Sequence, residues 1–510
     1  MFRRIEKVIL YLTVLALPFT FLPKSMQIMG LGQELAKWFI LVGMAVLAIE
    51  FAVFRFRIDR RFLYFAAVYI LWQLISLAVG LATYDYNELL TLNQMDKLPK
   101  LLDFLAGKGI AVNEMLAIKL WLFARFAKDI VFNSAAFIYI GFMVFHLYSE
   151  NFRQGFYEVR RAVLWLMVIM GAFSLIELIW FKLKMAWAEN ILRNITPHYL
   201  DVASAHGWWP PLINPDGIRS LCAEPSYFGI LCAFAFPFLW SYVLERRHTV
   251  PMLFFIAYCN LLAAATNSRT AVAITVFELA ALLLYAAIAK NKACRMAAGA
   301  ILLATLLGCG LNLVNFESYA AKIFSYQRAE TKITTQYQAK SATDFVDKNI
   351  NSLTNIKARS NKQRLGSFIA YSKVAFSRPV FGTGVGLHTA YIDKNIPEFS
   401  LESVEMRKWQ KFVREQGVLK SGYPELNKFA AAAAQTGFVG LFIYILPWLY
   451  VGRLIYINRQ AFFAVPTNII LLISLTGLLL SQMSNSIMLE CSGIILALFM
   501  CQEKGVNRYV

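Results

Sequence analysis

Charged residues are scarce in this chain, 16% of the total against 58% hydrophobic. A soluble protein of 510 residues needs far more polar surface, so a cytosolic or secreted globular fold is excluded. Histidine is nearly absent, with five residues, and cysteine stands at seven. The cysteines (Cys222, Cys232, Cys259, Cys294, Cys309, Cys491, Cys501) lie singly in or beside apolar stretches. That scatter excludes a disulfide framework and a cysteine metal motif, and the seven read as packing residues. Acidic residues are outnumbered 31 to 50, which leaves a net charge of +19.

What the chain has instead is a series of apolar runs of membrane-spanning length. About twelve are recognisable, starting near Val8, Trp38, Phe62, Ile130, Ala162, Pro225, Val250, Thr270, Ala297, Phe429, Pro466 and Ser486. The expected fold is therefore an all-α polytopic membrane protein. The first run has a basic start like a secretory signal, but it ends at Pro23 without a small-x-small cleavage pattern and reads as retained.

Loop charge sets the orientation. On the side of the N-terminus lie Arg3, Arg4, Lys7, the run RFRIDRR at 55–61, Arg153, Arg160, Arg161, Arg246, Arg247, Lys290, Lys292, Arg295, Arg453, Arg459, Lys504 and Arg508. The opposite short loops offer Lys24, Lys37 and Arg269. The positive-inside rule then puts both termini in the cytoplasm.

The division that follows is membrane helices one to nine over 1–316, a large extracytoplasmic loop over 317–427, and helices ten to twelve over 428–510. Two further outer loops, 83–128 and 182–223, are long enough to hold structure. In the first, NEMLAIKLWLFARFAK suits either a helix lying in the outer interface or a long start to the fourth span. In the second, WWPPLINPDG breaks any helix before Arg219. The large loop carries 17 Lys and Arg against 10 Asp and Glu, which suits lipid phosphates or acidic glycans. Its FGTGVG lacks the spacing of a nucleotide loop and reads as a turn that lets backbones approach closely. His388 has no partner at ligand spacing, so no metal site is expected.

The most informative segment is RSLCAEPSYFGI, which places Arg219 and Glu224 at the mouth of the sixth span. Ionisable residues at membrane depth imply a water-filled cavity or a mutual pair. Guanidinium forks at Arg219 and Arg269 can neutralise the charge developing on a diphosphate leaving group without a metal. Glu224 is the nearest carboxylate able to accept a proton; alternatively it is a strut that pairs with Arg219 at a helix start, beside Pro225 and Ser226. Arg269 alternatively snorkels to headgroups. Arg364 and Arg378 are candidates for a second diphosphate or the glycan, and Asp129 is a reserve base.

Four motifs carry a resemblance: GIRSLCAEPSYFGI, TNSRTA at 266–271, SRPVFGTGVG at 377–386 and NKFAAAAAQTGFVGL at 427–441. In order, spacing and side of the membrane the chain resembles the O-antigen polymerase and ligase superfamily over roughly residues 210–455. The resemblance implies a metal- and cofactor-independent glycosyltransferase of the bacterial inner membrane, its active site facing the periplasm. Its donor and acceptor would be undecaprenyl-diphosphate-linked glycans. Further partners would be membrane lipids and a chain-length regulator, with no nucleic acid. Arg219, Glu224 and Arg269 would be catalytic, and Ser226, Arg364, Arg378 and Asn427 would bind substrate. Ligases of the superfamily tend to carry His-Asn where this chain has Leu426-Asn427, which favours polymerase over transfer to lipid A-core. A lipid-glycan flippase is the rival from another class, but its long central loop would be cytoplasmic, where this chain has only about ERRHT.

Overall fold

The computed structural model describes residues 1–28, 31–86, 94–95, 98–110, 113–202, 209–289, 291–314 and 359–506. The first part of the large loop, 317–358, and the WWPPLINPDG segment as far as residue 208 lie outside the described residues. Among the described residues the chain is helical and has no strand.

Among the described residues, eight helical stretches are long and apolar enough to cross a membrane. They are α2 (Leu35–Phe54), α3 (Arg60–Thr83), the run Glu114–Tyr148, α7 (Phe152–Leu183), α9 (Pro225–Leu244), α11 (Arg269–Ile288), α12 (Lys292–Asn312) and α16 (Lys428–Ile457). The other four expected spans coincide with shorter helices: α1 (Phe2–Ala16), α10 (Thr249–Ala265), α18 (Pro466–Gln482) and α19 (Leu489–Val506). A 17-residue helix such as α10 or α18 rises only about 26 Å, short of a full hydrocarbon core.

Helix α9 sits at the centre. It is apolar on all sides, and every residue from Phe228 to Ser241 is buried, as a helix without a polar face requires. It packs on α7, α10, α11, α12 and α18. A second group is formed by α1, α2 and α6 (Ala136–Tyr148), which pack on one another, with α19 against α6. Outward-facing Phe254, Leu284, Leu303 and Phe442 are exposed, which suits contact with lipid tails.

The segment 113–128 is the first half of a longer span. Helix α5 (Glu114–Asp129) runs through a π turn at Ile130–Ser134 into α6 as one 35-residue stretch. Asn113 caps its start by accepting from Leu116 N–H at 3.2 Å. The π turn places Asp129 and Asn133 together, with Asn133 Nδ2 donating to Asp129 Oδ1 at 2.5 Å. Between spans lie α4 (Leu98–Gly107), α8 (Ala186–Tyr199) and the short α17 (Arg459–Ala464). The described part of the large loop folds as α13 (Arg359–Ser377), α14 (His388–Asp393) and α15 (Val404–Gln416) around Tyr371, Val374, Ile392, Met406, Val413 and Tyr423.

Helix α16 is broken inside the apolar region. Gly437 has φ 71° and ψ 178°, a conformation open essentially to glycine alone. The break frees carbonyls that lipid cannot satisfy. The turn after α13 supplies the donors: Thr383 N–H reaches Ala434 O and Gly384 N–H reaches Gln435 O, both at 2.9 Å, and Phe438 N–H donates back to Pro379 O at 2.7 Å. Trp72 Nε1 donates to Thr436 O at 2.9 Å and Ser76 Oγ to Gln435 O at 2.8 Å. FGTGVG is thus the close-packing turn its glycines suggest. A Cβ on Gly437 would stand 2.0 Å from Val380 O. Gly437→Ala is expected to destabilise by at least about 1–2 kcal/mol and to lower the yield of monodisperse protein sharply. Gly452→Ala in the same helix, with open space around it, is expected to leave that yield unchanged.

Candidate functional site

Two helix starts and one loop helix meet at the mouth of α9. Glu224 is the residue before α9, with extended backbone (φ −134°, ψ 152°), and Pro225 opens the helix. Ser226 Oγ donates to Glu224 Oε2 at 2.7 Å. Arg269 opens α11 behind Ser268, whose hydroxyl accepts from Ala271 N–H at 3.4 Å. Its guanidinium Nη1 donates to Asn361 Oδ1 on α13 at 3.2 Å. One turn further along α13, Arg364 lies within electrostatic reach of both Arg269 and Glu224. It makes no hydrogen bond with the described residues.

The charges here are two guanidiniums and one carboxylate, at the positive ends of two helix dipoles. Burial lowers the Arg364 guanidinium from its ordinary range, and Arg269 adds to this, while Glu224 opposes it. Arginine stays charged regardless. Burial raises the Glu224 carboxyl above the usual carboxylate range, and the Ser226 hydroxyl and Arg364 only partly offset this. The result is a carboxylate with an elevated proton affinity beside Arg364, which in turn lies near Arg269. That combination suits a group that takes up a proton next to a bound anion.

Arg219 is elsewhere. Its guanidinium is buried and bonded to the carbonyls of Pro211 at 2.7 Å and Leu212 at 2.8 Å. The following backbone turns at Ser220 (φ 56°), so that Arg219 N–H and Ser220 N–H both donate to Glu177 Oε2, at 3.3 and 2.6 Å. Among the described residues Arg219 and Glu224 do not pair; Arg219 holds the loop that delivers Glu224. The same loop is tied to the turn before α11 through Ile218 N–H to Ala265 O and Asn267 Nδ2 to Asp216 O.

Arg378 is also in another place. It donates to Thr83 Oγ1 at 2.7 Å and lies over the Tyr391 ring. Asn427 caps α16, accepting from Ala430 N–H at 2.9 Å. Of the seven site candidates, Glu224, Ser226, Arg269 and Arg364 come together, and Arg219, Arg378 and Asn427 do not.

Beside this cluster opens a cavity of about 480 Å³ that the sequence reading did not anticipate. Its polar lining includes Glu34, Lys37, Asp129, His388, Glu425, Lys428, Gln435 and Glu490. Tyr227, one residue beyond Ser226, lines it too and is acted on by both Glu224 and Glu34. The charges are partly paired within the wall: Lys37 with Glu34 at 2.6 Å, and Lys428 with Glu425 at 3.2 Å. Burial pushes the Glu425 carboxyl up, but Lys428, His388 and the Gln435 amide outweigh it and hold it at about 2. Burial lowers His388, with Glu425 opposing, so the histidine does have a carboxylate neighbour. A signal for the cavity was present in the sequence: Lys37, Lys428 and Glu490 each interrupt the start of an apolar run, where a charge needs water or a partner.

No protein-family model matches the chain, and no curated protein matches it.

Proposed function

We propose that this chain is an integral membrane glycosyltransferase that lengthens a polyprenyl-diphosphate-linked glycan, acting at the extracytoplasmic face. The observation that carries the reading is the Glu224 cluster. It sets a guanidinium with no hydrogen bond among the described residues, Arg364, near a second, Arg269, and a proton-avid carboxylate. The spanning arrangement that goes with it is twelve crossings with both termini cytoplasmic, the large loop outside, in a bacterial inner membrane.

In this mechanism Arg269 and Arg364 hold the donor diphosphate in charge-assisted hydrogen bonds. Glu224 accepts the proton of the attacking sugar hydroxyl. The new glycosidic C–O bond forms as the sugar C1–O bond to phosphate breaks, and the carrier diphosphate leaves with the electron pair onto the two guanidiniums. The adjoining polar cavity falls in the range of ligand pockets and would hold sugar units, with Tyr227 at the passage. Arg219 acts as a positioning residue through the loop it ties down. Arg378 and Asn427 retain supporting roles as loop and helix anchors.

The second reading is ligation of the glycan to lipid A-core. Leu426 argues against it; His388 beside Glu425 supplies an imidazole that the motif position lacks. A deletion strain in a host with the lipid A-core pathway distinguishes the two. Loss of a polymerase is expected to leave core plus a single repeat on a lipopolysaccharide gel. Bare core with long chains retained on the lipid carrier would instead establish a ligase. The flippase reading draws on the broken helix α16, a feature shared with transporters, and requires transport without new glycosidic bonds.

A further inference from the structure

At the other end of α2 three donor side chains from three helices converge. Lys37 lines the polar cavity, and Glu50 lies thirteen residues further along the same helix, about 20 Å away at the helical rise. Glu50 Oε2 is 3.1 Å from His146 Nε2 near the end of α6. Glu6 of α1 is the third member: one donor atom each from Glu6, Glu50 and His146 lie within 4.8 Å of one another. Helices α1, α2 and α6 pack pairwise, so the group clasps three elements.

Glu6 is fully buried, and neither of its carboxylate oxygens has a hydrogen-bond partner. Arg3 acts electrostatically on Glu6 and on His146 but forms no hydrogen bond with Glu6. With both carboxyls ionised, buried acceptors without a donor lose their hydration with nothing in return, and Glu50 alongside adds repulsion unless the two share a proton. A cation between them removes both penalties. The spacing fits one: metal–ligand distances of about 2.0–2.2 Å place adjacent ligand atoms roughly 3 Å apart, as Glu50 and His146 already are. The imidazole is held against the Phe56 ring, with centroids 4.2 Å apart, so its Nε2 is presented to the carboxylates. Glu50 and His146 remain 12% and 13% exposed, enough for water to complete a coordination shell.

We propose that Glu6, Glu50 and His146 bind one divalent first-row transition-metal ion that ties α1, α2 and α6 together. An imidazole among the ligands favours zinc, manganese or iron over magnesium and calcium, which prefer all-oxygen shells. The site is remote from the Glu224 cluster and does not depend on the transfer reading; its role is to hold the bundle, not to take part in the reaction.

The test uses untagged full-length protein in detergent, loaded with Zn²⁺, desalted, and assayed for metal by mass spectrometry and for thermal unfolding with and without EDTA. The wild type is expected to retain one zinc per chain and to unfold at a lower temperature after chelation. Glu6→Gln, of equal size and uncharged, and His146→Gln should each weaken zinc retention at least about tenfold and abolish the chelator effect. A cluster that only shares a proton gives the opposite pattern: no retained zinc in the wild type, and no EDTA shift. Either that result, or Glu6→Gln and His146→Gln variants that hold zinc as well as the wild type, overturns the proposal.

Discussion

Arg364→Ala should abolish chain elongation while the protein remains at normal abundance in the membrane. The guanidinium has no hydrogen-bond partner among the described residues, so its removal orphans nothing, yet it is the cation that acts on both Glu224 and Arg269. Loss of a preorganised donor to a developing oxyanion lowers rate by roughly 10²- to 10³-fold. Arg269→Ala should fall in the same range, and the double variant should fall by less than the product, because both act on one diphosphate. Arg364→Lys should recover only part, since a point charge lacks the planar fork. Arg219→Ala is expected to differ in kind. It leaves the carbonyls of Pro211 and Leu212 without donors and Glu177 without its neighbouring cation, so the protein itself should be depleted. Immunoblots of membranes beside glycan gels separate the two behaviours. Normal elongation in both Arg364→Ala and Arg269→Ala would move the site elsewhere.

Glu224→Gln should also eliminate transfer, at normal abundance, by removing the proton acceptor while keeping size and the contact with Ser226. General-base catalysis contributes about 10²- to 10⁴-fold. The base acts deprotonated, so activity is present above its pKa and is lost as pH falls through it. Burial raises that pKa, and the acid limb of the rate profile should therefore lie above the ordinary carboxylate range. Whatever residual rate Glu224→Gln retains should lack that limb. A strut would behave otherwise: partial activity with an unchanged profile, or lower abundance.

The helices were legible because an apolar run is a local property. Eleven of the twelve expected starts fall at or within a helix of the structure and the twelfth, Ser486, stands three residues before α19; the length of α10 or α18 also departs from expectation. Glu224, Ser226 and Arg269 were legible as polar residues at the mouths of spans and Arg364 as a cation in the large loop before its Gly-rich turn, and the four assemble. Arg219 was read with Glu224 because five residues separate them. The positive φ at Ser220 and the free carbonyls of Pro211 and Leu212 turn it the other way, and neither is visible in a hydropathy pattern. Glu177, in the middle of an apolar run, was a signal that the same rule about membrane-depth charge would have caught. The polar cavity was missed because it joins residues as distant in sequence as Glu34 and Glu490. Each of these looks alone like a solvated charge at a helix end. Likewise the break at Gly437 depends on donors from a turn more than fifty residues earlier.

Reconstitution of the purified protein with a defined polyprenyl-diphosphate-linked repeat unit, in the absence of ATP and of any ion gradient, tests the central claim most directly. The account predicts lipid-linked products of two or more repeats with release of the polyprenyl diphosphate, and none from Arg364→Ala or Glu224→Gln. Movement of intact lipid-linked glycan across the bilayer, with no new glycosidic bond formed, would contradict it.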